Sequence, residues 1–328
     1  MSCSAMFAGL RGITQHGGRV KIGRDFPTDT ASLISLTAAL AASDAVTELD
    51  ADAESAELLL VVSAVLQVTA SLRGCSLSYG RIGVQVDKEL IGLAEVVKTS
   101  VSLQSFSLNL GGSDVGDQTG LALAEALKTS VSLQSFSLGY ADDIGDQTGV
   151  ALAEAVKTSV SLQSFSLSCG HNMGDQTGVA LAEALKTSVS LQSFSLSCGH
   201  NMGDQTGVAL AEALKTSVSL QSFRLHCGEE MGDQTGVALA EALKTSISCQ
   251  SFSLDFGFEM GDQTGVALAE ALKTSVSLQS FSLDCERVFE RLRGRHWRPD
   301  GCGTRGGCED ERLAPAWVTR RASHSRRH

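Results

Sequence analysis

The sequence predicts an α/β solenoid of 29-residue repeats, with a parallel sheet on the concave face and helices on the convex face. Three observations predict it. Residues 161–189 (SLQSFSLSCGHNMGDQTGVALAEALKTSV) recur without one change at 190–218. The first leucine of the unit falls at Leu103, Leu133, Leu162, Leu191 and Leu220, is replaced by Cys249 and returns at Leu278, a spacing of 30 once and 29 thereafter. Each unit also holds two periodicities, one suited to a strand and one to a helix.

Taken in order, residues 1–24 carry Arg11, Arg19, Lys21 and Arg24 and no acid. Gly17-Gly18 breaks any amphipathic helix there, so residues 1–27 read as a flexible N-terminal segment and not as a transit peptide. Residues 28–42 (TDTASLISLTAALAA) open with capping residues and continue as an apolar helix, which would cover the first end of the array. Two worn copies follow, one centred on 46–49 with the apolar run 56–66, the other near Leu72 (SLRGCSL).

In the full unit, Leu162, Phe165 and Leu167 bracket Gln163, Ser164 and Ser166, and the Phe-x-Leu step alternates as a half-buried strand does. Residues 175–187 offer Asp175 as N-cap, then Leu181, Ala182 and Leu185 at helical spacing, with Glu183 and Lys186 as an outward i,i+3 pair. A short strand and a three-turn helix cannot shield each other from water alone. Stacked in register, their apolar faces merge into one core, and because helices are wider than strands the stack must curve. Residues 286–292 (ERVFERL) place Val288, Phe289 and Leu292 on one helical face as a second cap, closing a solenoid over 28–294. Residues 295–328 carry Arg and Gly but no Lys and read as a disordered basic tail.

Net charge is −11, divided between an acidic body (15 basic and 31 acidic residues up to 285) and a tail with 11 basic and 6 acidic residues. The acidic body argues against nucleic-acid binding, except nonspecifically through the tail. Nine cysteines are too sparse for a disulfide scaffold, and no apolar h-region opens the chain. The reading is therefore a cytoplasmic chain with reduced thiols. No apolar run reaches the roughly 18 residues of a membrane span.

The unit resembles the leucine-rich repeats of the ribonuclease-inhibitor type, as in NOD-like receptors and Ran GTPase-activating proteins. LQSFSL is similar to the family's L-x-x-L-x-L strand. GDQTGVALAEALK, residues 174–186, is similar to its helix opening G-D-x-G-A-x-A-L-A-x-A-L-K. Two departures stand out. Thr177 occupies a family glycine position, and the loop has Gly170 and His171, with one extra residue, where a buried Asn normally satisfies the turn. The resemblance implies a protein-binding module.

Cys169, Cys198, Cys227 and Cys285 share a column after the strand, with His171 and His200 two residues on. Tyr79, Leu110, Tyr140 and Phe256 fill that column elsewhere, so it asks for apolar bulk and no metal is expected. Cys302, Cys308 and His296 fit no standard finger spacing. Serines repeat identically in every copy, unlike a nucleophile placed once beside one base. The GDQTG turn lacks the lysine of a phosphate loop. Neither catalysis nor a cofactor is expected.

What varies between copies is the candidate partner surface. Concave positions read Gln-Ser-Ser except for Arg224, with His226, Asp255 and Asp284 nearby. Arg224 would anchor a partner's acid or pair across strands with Asp255. The loops after the strands carry Asp142 and Asp143, His171, His200, Glu229 and Glu230, and Phe258 and Glu259 at equivalent places. The expected function is a non-catalytic scaffold, free-standing or the remaining array of a larger receptor-like protein. It would bind a protein through this face and loop edge, as a monomer. Regulation of a small GTPase is the alternative that the resemblance implies, although that family's C-terminal region is acidic and this tail is basic. A third reading, from the identical copies, is recent duplication without a selected function.

Overall fold

The computed structural model describes residues 10–53, 55–80, 85–111, 115–139, 144–256 and 261–284. Strands and helices alternate along them: β1 (Ile13–His16), β2 (Arg19–Ile22), α1 (Thr30–Ala41), β3 (Glu48–Ala53), α2 (Ala56–Val68), β4 (Gly74–Tyr79), α3 (Asp87–Thr99), β5 (Ser105–Asn109), α4 (Asp117–Thr129), β6 (Ser135–Gly139), α5 (Asp146–Thr158), β7 (Ser164–Ser168), α6 (Asp175–Thr187), β8 (Ser193–Ser197), α7 (Asp204–Thr216), β9 (Ser222–Cys227), α8 (Asp233–Thr245), β10 (Ser251–Phe256), α9 (Asp262–Thr274) and β11 (Ser280–Asp284). The strands form one sheet in sequence order, and the helices stack beside it as a second layer. The predicted strand–helix array is what the chain forms.

Every pairing from β2 onward is parallel and in register, so each column holds one residue per repeat. Phe165 lies opposite Phe194, and Leu167 opposite Leu196. The phenylalanine column runs from Phe106 to Phe281 with ring centroids 5.5–6.2 Å apart, and all its rings are buried. No repeat owns its core. Each ring from Phe136 to Phe252 is covered by the rings of its two neighbours, which ties the stability of one unit to the next.

Helix α6 shows why these residues make this element. Leu181, Ala182, Ala184 and Leu185 are buried on one stripe, while Lys186 donates to Glu183 across the exposed face at 2.5 Å. Ser188 then turns extended and ends the helix, its hydroxyl accepting from Leu191 N–H at 3.3 Å.

The helix start differs from the sequence expectation. Asp175 does not cap its own helix; Gly174 occupies the cap position with no side-chain bond. Asp175 reaches instead to the next repeat, where its Oδ1 accepts from Gly203 N–H (3.0 Å), Thr206 N–H (3.1 Å) and the Thr206 hydroxyl (2.6 Å). Thr206 is the third residue of α7, so the aspartate satisfies the orphan donors of the following helix. The same clasp joins Asp146 to Gly174 and Thr177, and Asp204 to Gly232 and Thr235.

Thr177, the departure from the family pattern, is explained here. It is fully buried, and a Cβ added at Gly149 of the preceding helix would fall inside its Oγ1, Cγ2 and Cβ atoms. Gly178 stands to Thr206 as Gly149 does to Thr177. The sequence Asp-Gln-Thr-Gly is thus a two-sided joint. Asp holds the repeat ahead, and Thr packs on the glycine of the repeat behind.

The first end of the sheet also differs. Where a flexible segment was expected over 1–27, β1 and β2 form an antiparallel hairpin, with Ile13 opposite Ile22 and His16 opposite Arg19. Gly17, at φ +59°, makes the tight turn, so the Gly-Gly pair read as a helix breaker is a hairpin signal. Val20 and Ile22 are fully buried, and β2 pairs in parallel with β3. α1 begins as expected, with Asp29 accepting from Ala31 and Ser32 N–H. The expected cap at 286–292 and the tail at 295–328 lie outside the described residues.

Candidate functional site

The sheet face opposite the helices is built of alternate strand residues. Ser164, Ser166 and Ser168 of β7 and Ser193, Ser195 and Ser197 of β8 are half-buried, while Phe165, Leu167 and their counterparts point to the core. Gln163, grouped with these serines from the sequence, lies before the strand, its N–H donating to Gln134 O at 2.8 Å. The middle of the face is therefore a plain of hydroxyls without charge.

Charge gathers at the two ends. In β9 the exposed Arg224 replaces this serine, flanked in register by Ser195 and Ser253. Asp255 does not pair with Arg224. It lies opposite His226, whose Nδ1 is 2.7 Å from Asp255 Oδ2. Register explains this: Asp255 is one repeat of 29 residues beyond position 226 and not 224. Asp284 follows Asp255 in the same column. Among the described residues no carboxylate lies within salt-bridge distance of Arg224, which leaves its guanidinium free for a partner.

The loops after β7 to β9 continue this edge. The rings of His171 and His200 stack at 4.7 Å, inclined by only 5°, and Asn201 Nδ2 donates to His171 O at 2.5 Å. His200 Nδ1 lies 3.4 Å from Glu229 Oε1, and Glu230 is exposed beside it. His171, His200, Glu229, His226 and Asp255 thus gather along the strand C-terminal edge, with Arg224 set back from it on the sheet face of β9. Asp142, Asp143, Phe258 and Glu259 lie outside the described residues. Backbone groups of these loops bond from one repeat to another, as in Cys169 N–H to Ser197 O and Cys198 N–H to His226 O, both 2.9 Å. That arrangement answers what the missing family asparagine leaves open.

Beneath the edge, Cys169, Cys198 and Cys227 are buried in the column shared with Tyr79, Leu110 and Phe256. Burial pushes the Cys198 thiol up to about 12 and those of Cys169 and Cys227 well above their ordinary value. Protonated, buried thiols are packing groups and poor ligands or nucleophiles. Among the described residues, no group of three or more His, Cys, Asp or Glu side chains is placed to hold a metal ion. No helix among them is long and apolar enough to cross a membrane.

The other charged end was missed by sequence reasoning. Arg19 Nε donates to Asp50 Oδ2 at 2.6 Å and lies 3.7 Å from Glu48 Oε2, with Lys21 opposite Asp50 in register. The available signal was the Gly-Gly turn between alternating Ile13, Val20 and Ile22.

No family model matches the chain, and no curated protein is similar to it in sequence. Solved structures do resemble its fold. The yeast Rad7–Elc1 complex matches over 76% of this chain and 65% of that one, at 15% identity and a TM-score of 0.47. The actin-binding site 2 of leiomodin-1 matches over 50% and 90%, at 19% identity and 0.40. The Caenorhabditis elegans tropomodulin C-terminal domain matches over 46% and 81%, at 20% identity and 0.34. Likeness at this level concerns the repeat fold alone.

Proposed function

We propose that the chain is a non-catalytic protein-interaction module of the ribonuclease-inhibitor type, acting in the cytoplasm without a cofactor. It binds a protein partner through the sheet face and the loop edge at the strand C-termini. One observation carries this reading: on a scaffold whose repeats are nearly identical, the charged and imidazole side chains that change lie on the sheet face and the loop edge beside it. Arg224 has no carboxylate within salt-bridge distance among the described residues, Glu229 and Glu230 stand exposed, and two imidazoles are stacked beside them. An unpaired guanidinium next to an acidic loop suits a partner with its own acid and base in complementary places.

The test is affinity capture with the full chain and with the triple variant Arg224→Ala, Glu229→Gln, Glu230→Gln. A partner held by the wild type and lost by the variant supports the assignment. Undiminished recovery of every wild-type partner by the variant removes it.

A further inference from the structure

A second surface lies on the opposite edge, where each helix returns to the next strand. One large apolar side chain per repeat points into solvent there: Val101, Val131, Val160, Val189, Val218, Ile247 and Val276, each 73–85% exposed. The first six of them, with Ser and Gln neighbours, line two adjoining grooves of about 510 and 300 Å³. Soluble proteins expose single apolar residues freely, but seven aligned in one stripe is a different matter.

The display is rigid. Val189 sits between Ser188, which is buried and accepts from Leu191 N–H, and Ser190, whose hydroxyl donates to Ser159 O at 3.1 Å in the preceding repeat. Ser219 and Ser248 are tied back in the same way. Both neighbours are anchored, so the valine is held outward, and its branched side chain has little rotamer freedom to lose on contact.

We propose that this stripe is a homodimer interface, in which the edge of one copy docks antiparallel on the same edge of a second copy. Three arguments select that occupant. The grooves are lined by Val, Ile, Ser and Gln only, so no charge recruits a charged segment such as the chain's own Arg-rich tail. Each rung is chemically the same, so the stripe is self-complementary when turned end over end, as a two-fold interface requires. Its size is also sufficient: at roughly 100 Å² per valine, seven rungs approach the ~800 Å² per partner of a standard interface, with the glutamines adding to it. Towards the N-terminus the stripe stops where the column changes to Ala70 and then Asp44, and among the described residues Val276 is its last rung. A monomer was expected from the sequence, where these valines fall outside both core patterns.

In this arrangement the two-fold axis passes through the fourth rung. Val189 meets Val189 of the second copy, and Val101 meets Val276.

The experiment uses the full chain in sedimentation velocity up to about 100 μM, a concentration that populates micromolar complexes. The wild type is expected to dimerise. Val160→Lys with Val189→Lys weakens association at least about tenfold, since it buries charges without partners. Its circular dichroism stays unchanged, and its melting temperature matches the wild type's at dilutions where both are monomeric, because both side chains are exposed. A second measurement fixes the axis. With Cys3, Cys285, Cys302 and Cys308 replaced by Ser, Val189→Cys forms a disulfide-linked dimer on mild oxidation, whereas Val101→Cys does so only when combined with Val276→Cys. A wild type that stays monomeric, a dimer untouched by the double lysine variant, or equal cross-linking at positions 101 and 189 overturns the proposal. Because partner capture reads the other edge of the strands, the two proposals fail separately.

Discussion

Two stretches only a few residues apart follow opposite rules. From Asp175 to Gly178 the joint Asp-Gln-Thr-Gly is repeated without change in neighbouring units, while the loop before it, GHNM at 170–173 and again at 199–202, becomes GEEM at 228–231 and GFEM at 257–260. In the joint, the Asp175 carboxylate and the Thr206 hydroxyl bond across the repeat boundary, and a Cβ added at the glycine has no room. In the loop, side chains meet their neighbours at the surface, where stacking or pairing contributes little to stability. The lesson is that inter-repeat cohesion resides in the joint and the phenylalanine column, which leaves the adjacent edge free to vary.

That contrast can be broken at its strong end first. Phe194→Ala removes a fully buried ring between two others and is expected to cost about 3–5 kcal/mol, seen as a large fall in the urea midpoint. A loss below about 1 kcal/mol would mean that the column closes over the gap. Asp175→Ala leaves three donors at the N-terminus of α7, one of them on its cap residue Gly203, without their acceptor, for about 2 kcal/mol. Gly178→Ala sharpens the same point. In an isolated helix it would stabilise by about 1 kcal/mol, yet here overpacking on Thr206 should reverse the sign, costing about 1–3 kcal/mol.

Acid tests the joint without mutation. Burial raises the Asp204 pKa, but the Thr235 hydroxyl and the N–H groups of Gly232 and Thr235 outweigh it and hold the carboxyl below its ordinary value of 3.8. A carboxyl depressed in the folded state contributes stability that is complete above the unfolded pKa and is lost as pH falls through the folded one. Melting temperature should therefore hold down to about pH 4 and then drop. The drop should be shallower in Asp204→Asn, and identical profiles for the two proteins would count against the joint. At the weak end, His226→Ser together with Asp255→Ser should change stability by no more than about 0.5 kcal/mol, since both side chains are part-exposed.

The phase of strand and helix was legible because seven copies report the same pattern, and repetition averages out the ambiguity of any one short strand. The hairpin was not, because four-residue strands beside a lone Gly-Gly have no second copy to support them. Asp175 was misassigned for a different reason: its partners lie 28 and 31 residues ahead, beyond the reach of a local capping rule. Asp255 could have been matched to His226 by counting one repeat back, whereas its proximity to Arg224 in sequence suggested the wrong pair. The solvent-facing valines escaped notice because a search for core residues passes over an apolar side chain that the core does not use.

The clasp has one more consequence, for copy number. Residues 161–189 and 190–218 are identical, so excising the second copy would bring Asp175 to the same donors, now Gly232 and Thr235, that it finds at present in Gly203 and Thr206. No joint would be left open at the seam. The array can therefore lose or gain a whole unit without any residue meeting an unfamiliar neighbour, and its length is a quantity that the fold itself does not fix.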